Sequence, residues 1–377
     1  MLKPPQNFGG GMMGGAGRIE GRVFLDGGWS TAAVSWEDGR ISSVEPSGRD
    51  ADGPLLVPGF VDLHCHGGGG ADVMQAGEAV HQIARTHAAH GTAAFLATTM
   101  TAPLEEVEEA LAAVARAMEK QGEDEAKILG VHLEGPFISP DQLGAQPPFA
   151  IPATVPLLER LCGLAPIRVI TMAPEADPSG EVAAFLRGQG VRVQIGHTSA
   201  GFETSKAFIL GNHGVTHMFN AMGGFHHRKS GCPGAALAHA EHAEIIADLH
   251  HADKGSILAA RRAIPKLYAV TDATAASGMP DGAYKLGQYE VFRRDGTVRL
   301  ASGGLAGSCL TMDGAFQNLV SIGLPPEEAA LRTSTIAAAY VGAQDYGAIR
   351  PGARASFVAV AGDGGVQTVV HNGRMLR

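Results

Sequence analysis

Between residues 59 and 272 the chain repeats one unit: a short apolar strand, a loop and a helical segment. Candidate strands fall at 59–66, 92–99, 128–134, 168–173, 191–197, 215–217, 244–249 and 267–272. The clearest helix is 104–121, with apolar residues at helical spacing and Glu105 and Glu106 in its first turn, as an amphipathic helix requires. Strands that alternate with helices predict a parallel sheet, and eight such units predict a closed (β/α)8 barrel of the TIM type.

The chain ends read differently. Segments 22–25, 32–36 and 40–44 are short strands parted by Asp-Gly or Gly-Gly pairs, and 356–360 and 366–370 lead to Asn372-Gly373. Such pairs are hairpin signals. The expected plan is a small β-sandwich domain from 18–57 and 348–377 bracketing a catalytic barrel at 58–347. Residues 1–17 are rich in Gly and Met, lack the apolar core of a signal peptide and are expected to be a disordered tail.

Composition narrows the function. The 377 residues carry a net charge of −9 with no long basic run, which argues against a nucleic-acid partner and an anionic membrane surface. No apolar run reaches membrane-spanning length. Cys65, Cys162, Cys232 and Cys309 show no Cys-x-x-Cys spacing and read as reduced thiols of a cytoplasmic protein.

A barrel of this kind places its active site at the C-terminal ends of its strands, and the chemistry-bearing residues fall there. His64 and His66 close strand one, two apart and so on one face. Glu134 closes strand three, His197 strand five, His217 strand six and Asp272 strand eight. Four imidazoles and two carboxylates exceed one tetrahedral ion and suit two divalent ions sharing a carboxylate. The expected grouping is His64, His66, Glu134 and Asp272 around one ion and Glu134, His197 and His217 around the other. Zinc, iron(II), manganese and cobalt all accept mixed N/O ligands. Asp272 is expected to move protons as the general acid/base.

At these residues the chain resembles the amidohydrolase superfamily and, within it, the N-acetylglucosamine-6-phosphate deacetylases. The stretches that carry the resemblance are His132-Leu133-Glu134-Gly135-Pro136-Phe137, Gly196-His197-Thr198, Thr216-His217-Met218-Phe219-Asn220-Ala221-Met222, His226-His227-Arg228, Ile246-Ala247-Asp248 with His251, Val270-Thr271-Asp272-Ala273-Thr274 and Ser302-Gly303-Gly304-Leu305-Ala306-Gly307-Ser308. The resemblance implies Glu134, His197 and His217 as metal ligands, Asp272 as general acid/base, and Asn220, the Ala221 backbone, Arg228 and His251 around a sugar phosphate. It also implies one or two divalent metals per subunit, zinc or iron(II) first, and a homodimer in which Arg228 or His251 comes from the neighbouring subunit. Some members carry Gln-x-Asn and one metal where this chain carries His64-x-His66. The family's Lys-Gly-Ala-His is here Leu143-Gly144-Ala145-Gln146, so the imidazole that polarises the substrate carbonyl is replaced by an amide. Either the second metal takes over that role or the substrate differs.

The remaining polar residues divide as follows. His227 is expected to contact substrate, and one of His250 and His251 to reach the site. His132 shares a face with Glu134 and is expected behind the ligands. His87 and His90 are expected on the surface, and His239 and His242 on a solvated face at the other end of the barrel. Cys65 is expected to point away from the metals. Glu175 has no assigned role. The expected function is hydrolytic removal of the acetyl group from N-acetylglucosamine 6-phosphate. Rivals are a deacetylase for the galactosamine isomer or for an unphosphorylated or differently acylated sugar, and a non-catalytic sugar-phosphate sensor. Asp272 argues against the sensor, because a binder needs no proton shuttle.

Overall fold

The computed structural model describes residues 15–25, 27–48 and 53–376. Eight parallel strands lie in chain order in one sheet: Phe60–Cys65, Thr92–Thr98, Lys127–Glu134, Ile167–Met172, Arg192–Ile195, Gly214–Val215, His242–Ile246 and Lys266–Val270. The first and last meet through a parallel bridge between Cys65 and Ala273 and a 2.8 Å hydrogen bond from Asp272 N to His64 O. The barrel is therefore drawn together at the level of the candidate ligands.

Alternation along each strand decides what faces inward. Val131 and Leu133 pack outward in a cluster with Val107, Leu111 and Val114 of helix Leu104–Glu119, so His132 and Glu134 face the barrel interior. Cys65 belongs to the same outer cluster, leaving His64 and His66 inward. Val169, Ile246, Tyr268 and Val270 form an inner cluster with Val61, Leu63 and Leu96, and Ala337 and Tyr340 pack onto it; strand one shifts register between Asp62 and Cys65, so Leu63 and Cys65 do not share a face. No helix among the described residues is long and apolar enough to cross a membrane.

The chain ends meet as anticipated, in a seven-stranded mixed sheet. In spatial order its strands are Arg374–Met375, Val366–His371, Phe357–Val360, Leu55–Pro58, Gly17–Leu25, Gly28–Glu37 and Arg40–Pro46. Its two faces enter different cores. Val23, Leu56, Phe357 and Val370 pack with Trp36 and Ile41. Phe24, Val57, Val358 and Val369 pack with Phe316 and the barrel-side residues Phe60 and Ile264. The expected tail lies outside the described residues over 1–14, but Gly17 is no part of a tail. It opens a strand and pairs with Trp36.

Two further features depart from expectation. Residues Gly282–Leu286, Tyr289–Arg294 and Thr297–Leu300 form a three-stranded antiparallel sheet after the barrel, tied back by a 2.9 Å bond from Gly287 N to Asp72 Oδ2. His87 is not a surface residue: it is fully buried. It lies on the apolar stripe of helix Ala79–Ala89 with Val80, Ile83, Ala84 and Ala88, and its Nε2 donates to Gly67 O at 2.9 Å. His90, beside it, is half-buried against Asp313 at 3.1 Å. His239 is exposed, while His242 is half-buried with its ring 4.7 Å from that of Tyr340.

Burial pushes His87 down to about 4. His132, buried and beside His64, is also pushed down to about 4. Each stays neutral in the fold while its unfolded counterpart protonates from about pH 6.5 downward, so stability is complete above that pH and lost as pH falls toward 4. The shifts correspond to roughly 3 kcal/mol each at full expression. Urea midpoints measured between about pH 7 and about pH 5 should fall steeply, and a flat profile contradicts neutral burial of these rings.

Candidate metal centre

Strand ends carry the site, and three of its residues sit in strained backbone. His197 (φ 47°), His217 (φ 24°) and Asp272 (φ 50°) have left-handed dihedrals that side chains with a Cβ adopt at a cost of order 1–3 kcal/mol. Each ends its strand with a turn that swings the side chain over the barrel mouth. Glu134 is followed by Gly135 at φ 72°, where a Cβ would sit 2.0 Å from Thr101 Oγ1. Only glycine lets the chain leave strand three so close to the end of strand two.

The side chains converge. Glu134 Oε1 lies 3.0 Å from His217 Nε2, 3.3 Å from His197 Nε2 and 3.4 Å from His64 Nε2. Glu134 Oε2 lies 3.2 Å from His66 Nε2. Asp272 Oδ1 lies 3.1 Å from His66 Nε2 and 3.4 Å from His64 Nε2. Two groups of ligand type result, His64-His66-Glu134 and Glu134-His197-His217, with Glu134 common to both.

The donor set fits cations. His64 Nδ1 is 2.9 Å from Glu244 Oε2, and a carboxylate only accepts, so Nδ1 carries the hydrogen. His197 Nδ1 donates to Gln142 O at 2.8 Å. In both rings Nε2 is then the nitrogen that points at the centre. His197 Nε2 faces His217 Nε2 at 3.1 Å, and His64 Nε2 faces His66 Nε2 at 3.2 Å. Facing nitrogens around carboxylates need a positive charge between them, as a proton or as a metal. Between His64 and His66 of the metal-free protein, protons serve that purpose. Burial alone would push His66 down, yet hydrogen bonds to Asp272 and Glu134 raise it to about 9. His64 rises well above its ordinary value for the same reason, with Glu244 adding to the pull. Burial pushes Asp272 up, but His64 and His66 outweigh it and hold the carboxyl down at about 2.

Several supporting residues were not assigned from sequence. Glu244 is fully buried mid-strand and holds both His64 Nδ1 and, at 3.2 Å, His217 N. Its signal was a lone carboxylate inside the apolar run Ala243-Glu244-Ile245-Ile246. Asp62, in the same position on strand one, accepts from Thr271 Oγ1 at 2.5 Å and from His64 N at 3.3 Å, pinning strand eight to strand one. Glu175 accepts from Thr198 Oγ1 and Ser199 N, both at 2.6 Å, and so fixes the chain just past His197. His132 bonds Leu63 O at 2.9 Å and Thr171 Oγ1 at 2.8 Å and packs its ring 4.5 Å from that of His64.

A cavity of about 160 Å³ opens over the centre. Its floor is His66, Glu134, His197, His217 and Asp272; Asn220, Ala221, Gln146 and His251 line its sides; Met100, Ala145, Leu286 and Leu305 give it an apolar wall. His251, bonded through Nδ1 to Asp248 Oδ2 at 2.7 Å, is the one of the histidine pair that reaches in. Burial lowers its pKa, but Asp248 overcomes that and holds it above its ordinary value. His227 and Arg228 do not reach the cavity of their own chain. They lie exposed on a loop with Phe225, which is 56% exposed.

The sequence model of the amidohydrolase family matches residues 55–376. The chain belongs to the amidohydrolase family. Among relatives of this amidohydrolase, N-acetylgalactosamine-6-phosphate deacetylase of Escherichia coli O157:H7 is 37% identical over 94% of this chain and 97% of its own. N-acetylglucosamine-6-phosphate deacetylase of Vibrio furnissii is 37% identical over 90% and 89%. Among solved structures, N-acetylglucosamine-6-phosphate deacetylase from Thermotoga maritima superposes with a TM-score of 0.87 at 30% identity, covering 96% of this chain and 99% of that one. A Mycobacterium smegmatis enzyme of the same name, solved with N-acetyl-D-glucosamine-6-phosphate, also gives 0.87, at 28% identity over 96% of this chain and 100% of that one.

Proposed function

We propose that this amidohydrolase hydrolyses the amide of N-acetyl-D-glucosamine 6-phosphate, giving D-glucosamine 6-phosphate and acetate. The observation that carries the reading is the placement of an ionised, buried Asp272 beside two ligand groups that share Glu134, on the floor of one cavity. His64, His66, Glu134 and Asp272 would hold one divalent ion and Glu134, His197 and His217 the other. Zinc and iron(II) suit these donors best, with manganese and cobalt also accepted. Bound there, such ions lower the pKa of water so that a nucleophile exists near neutral pH and polarise the acyl oxygen.

The chain supplies the rest. Asp272 Oδ takes the proton of the attacking water and returns it to the amide nitrogen as the carbon–nitrogen bond breaks. Held down at about 2, Asp272 is a carboxylate at neutral pH. Asn220 and the Ala221 backbone line the side where a sugar would lie, and the apolar wall suits the acetyl methyl.

His251, held toward its charged form by Asp248, is placed to meet a phosphate. Arg228 offers the guanidinium fork that phosphate favours. Its exposure outside its own cavity supports a homodimer in which His227 and Arg228 serve the neighbouring subunit. The four free cysteines support a cytoplasmic setting.

A screen of N-acyl hexosamines with and without the 6-phosphate tests the substrate. The reading predicts acetate release with a clear preference for phosphorylated N-acetylglucosamine. The galactosamine relative makes the epimer the second reading, and preference for N-acetylgalactosamine 6-phosphate would establish it instead. Sugar binding without acetate release would favour the sensor. Arg228→Ala should raise KM for phosphorylated substrates about tenfold or more and leave bare sugars nearly unchanged, since a charge-assisted contact is worth about 1.5–3 kcal/mol. Equal effects on both would remove Arg228 from the phosphate.

A further inference from the structure

Gln146 stands where the resembling enzymes carry an imidazole, and the structure gives its amide two partners within the protein. The residue is buried, 5% exposed. Thr101 N donates to its Oε1 at 2.7 Å. A backbone N–H can only donate, so this contact settles which end of the amide is oxygen. The amide nitrogen must then face the site, and Nε2 donates to Glu134 Oε2 at 2.6 Å. The main chain of the same residue is held by a 2.8 Å bond from Gln146 N to Leu143 O.

The consequence falls on Glu134. Its terminal torsion is intrinsically broad, yet both ligand groups depend on where its two oxygens point. Three imidazoles crowd Oε1, and Oε2 meets His66. Gln146 donates to Oε2 and ties it, through Thr101, to the loop just past strand two. Unlike an imidazole, the amide takes no proton, so nothing at position 146 adds positive charge against an incoming cation.

We infer that Gln146 is a positioning residue of the metal centre, which sets the plane of the Glu134 carboxylate so that one oxygen serves each ligand group. The inference rests on the metal reading of the site and needs no substrate, so it can fail while the deacetylase reading stands, and the reverse. Its role would differ from that of the replaced imidazole, which acts on the substrate carbonyl.

The test uses the full-length protein loaded with Co²⁺ or Zn²⁺, with affinity measured by chelator competition and geometry by the visible spectrum of the cobalt form. Gln146→Met keeps the length and loses both polar ends. Its metal affinity should fall about tenfold or more, the usual effect of removing a partner that orients a ligand, and its cobalt spectrum should change. Gln146→His restores an N–H donor and should bring affinity back to within about threefold of the native protein. If the Met variant does not fold, the His variant carries the test through a near-native spectrum. A Met variant that binds metal like the native protein overturns the inference, as does a His variant as weak as the Met one. Loss of turnover with native metal affinity and spectrum also overturns it, because Gln146 would then be acting on substrate.

Discussion

Asp272→Asn is expected to bind metal and substrate and to lose turnover by about a thousandfold, within the range general acid–base catalysis supplies. The substitution keeps the shape and one oxygen, so the contacts to His66 and His64 at 3.1 and 3.4 Å can persist. What it removes is the carboxylate's capacity to accept a proton at neutral pH. The amide nitrogen of a substrate is a poor leaving group until it is protonated, and among the cavity carboxylates Glu134 is already engaged by four imidazoles and Gln146. Metal content and kcat measured on the same preparation decide the matter. A variant with near-native kcat removes Asp272 from the mechanism, and one that loses its metal makes it a ligand before all else.

Glu134→Ala is expected to empty the centre. Both ligand groups share this carboxylate, so its loss strips two sites at once. Turnover should fall by more than the 10–100-fold that follows removal of an outer partner. The metal-free fold should also change its response to pH. In the native chain Glu134 helps hold His66 up at about 9. That raised pKa contributes stability that is complete below the unfolded value near 6.5 and lost as pH rises through about 9. Without Glu134 the folded value falls toward the unfolded one, so the loss should be smaller and should end at lower pH. Denaturation of metal-free native and variant protein across that window checks the sign, and metal analysis checks the occupancy. Full metal content in Glu134→Ala contradicts its bridging place.

Most of the barrel could be read from the chain because its signals are local. Each strand is a short apolar run, and five of the eight have a candidate metal ligand at or within two residues of the end. His64, Glu134, His197, His217 and Asp272 could therefore be placed at one mouth before any coordinates. Long-range features were harder. Glu244 looked like an interruption in an apolar strand, and only the closed barrel shows that it faces His64. His87 is a polar residue on an otherwise apolar stripe, so residue type pointed outward while helical spacing pointed inward; spacing was the better guide. The three-stranded sheet at 282–300 carries an Asp295-Gly296 hairpin signal, but its strands are short and mostly exposed, with only Leu286, Val291 and Val298 buried. Gln146 was read by comparison with an imidazole, and its bond to Glu134 spans twelve residues of irregular loop that no pattern predicts. Arg228 is singled out by the chemistry of its guanidinium, and it lies exposed, away from the cavity of its own chain.

The central claim is that distant strand ends gather divalent ions around one shared carboxylate. Anomalous diffraction from a crystal of the metal-loaded protein, collected at the absorption edge of the metal, tests it most directly. The account predicts one peak within ligand distance of Glu134, His197 and His217 and a second beside His64, His66 and Asp272. A map with no peak touching Glu134 would contradict it.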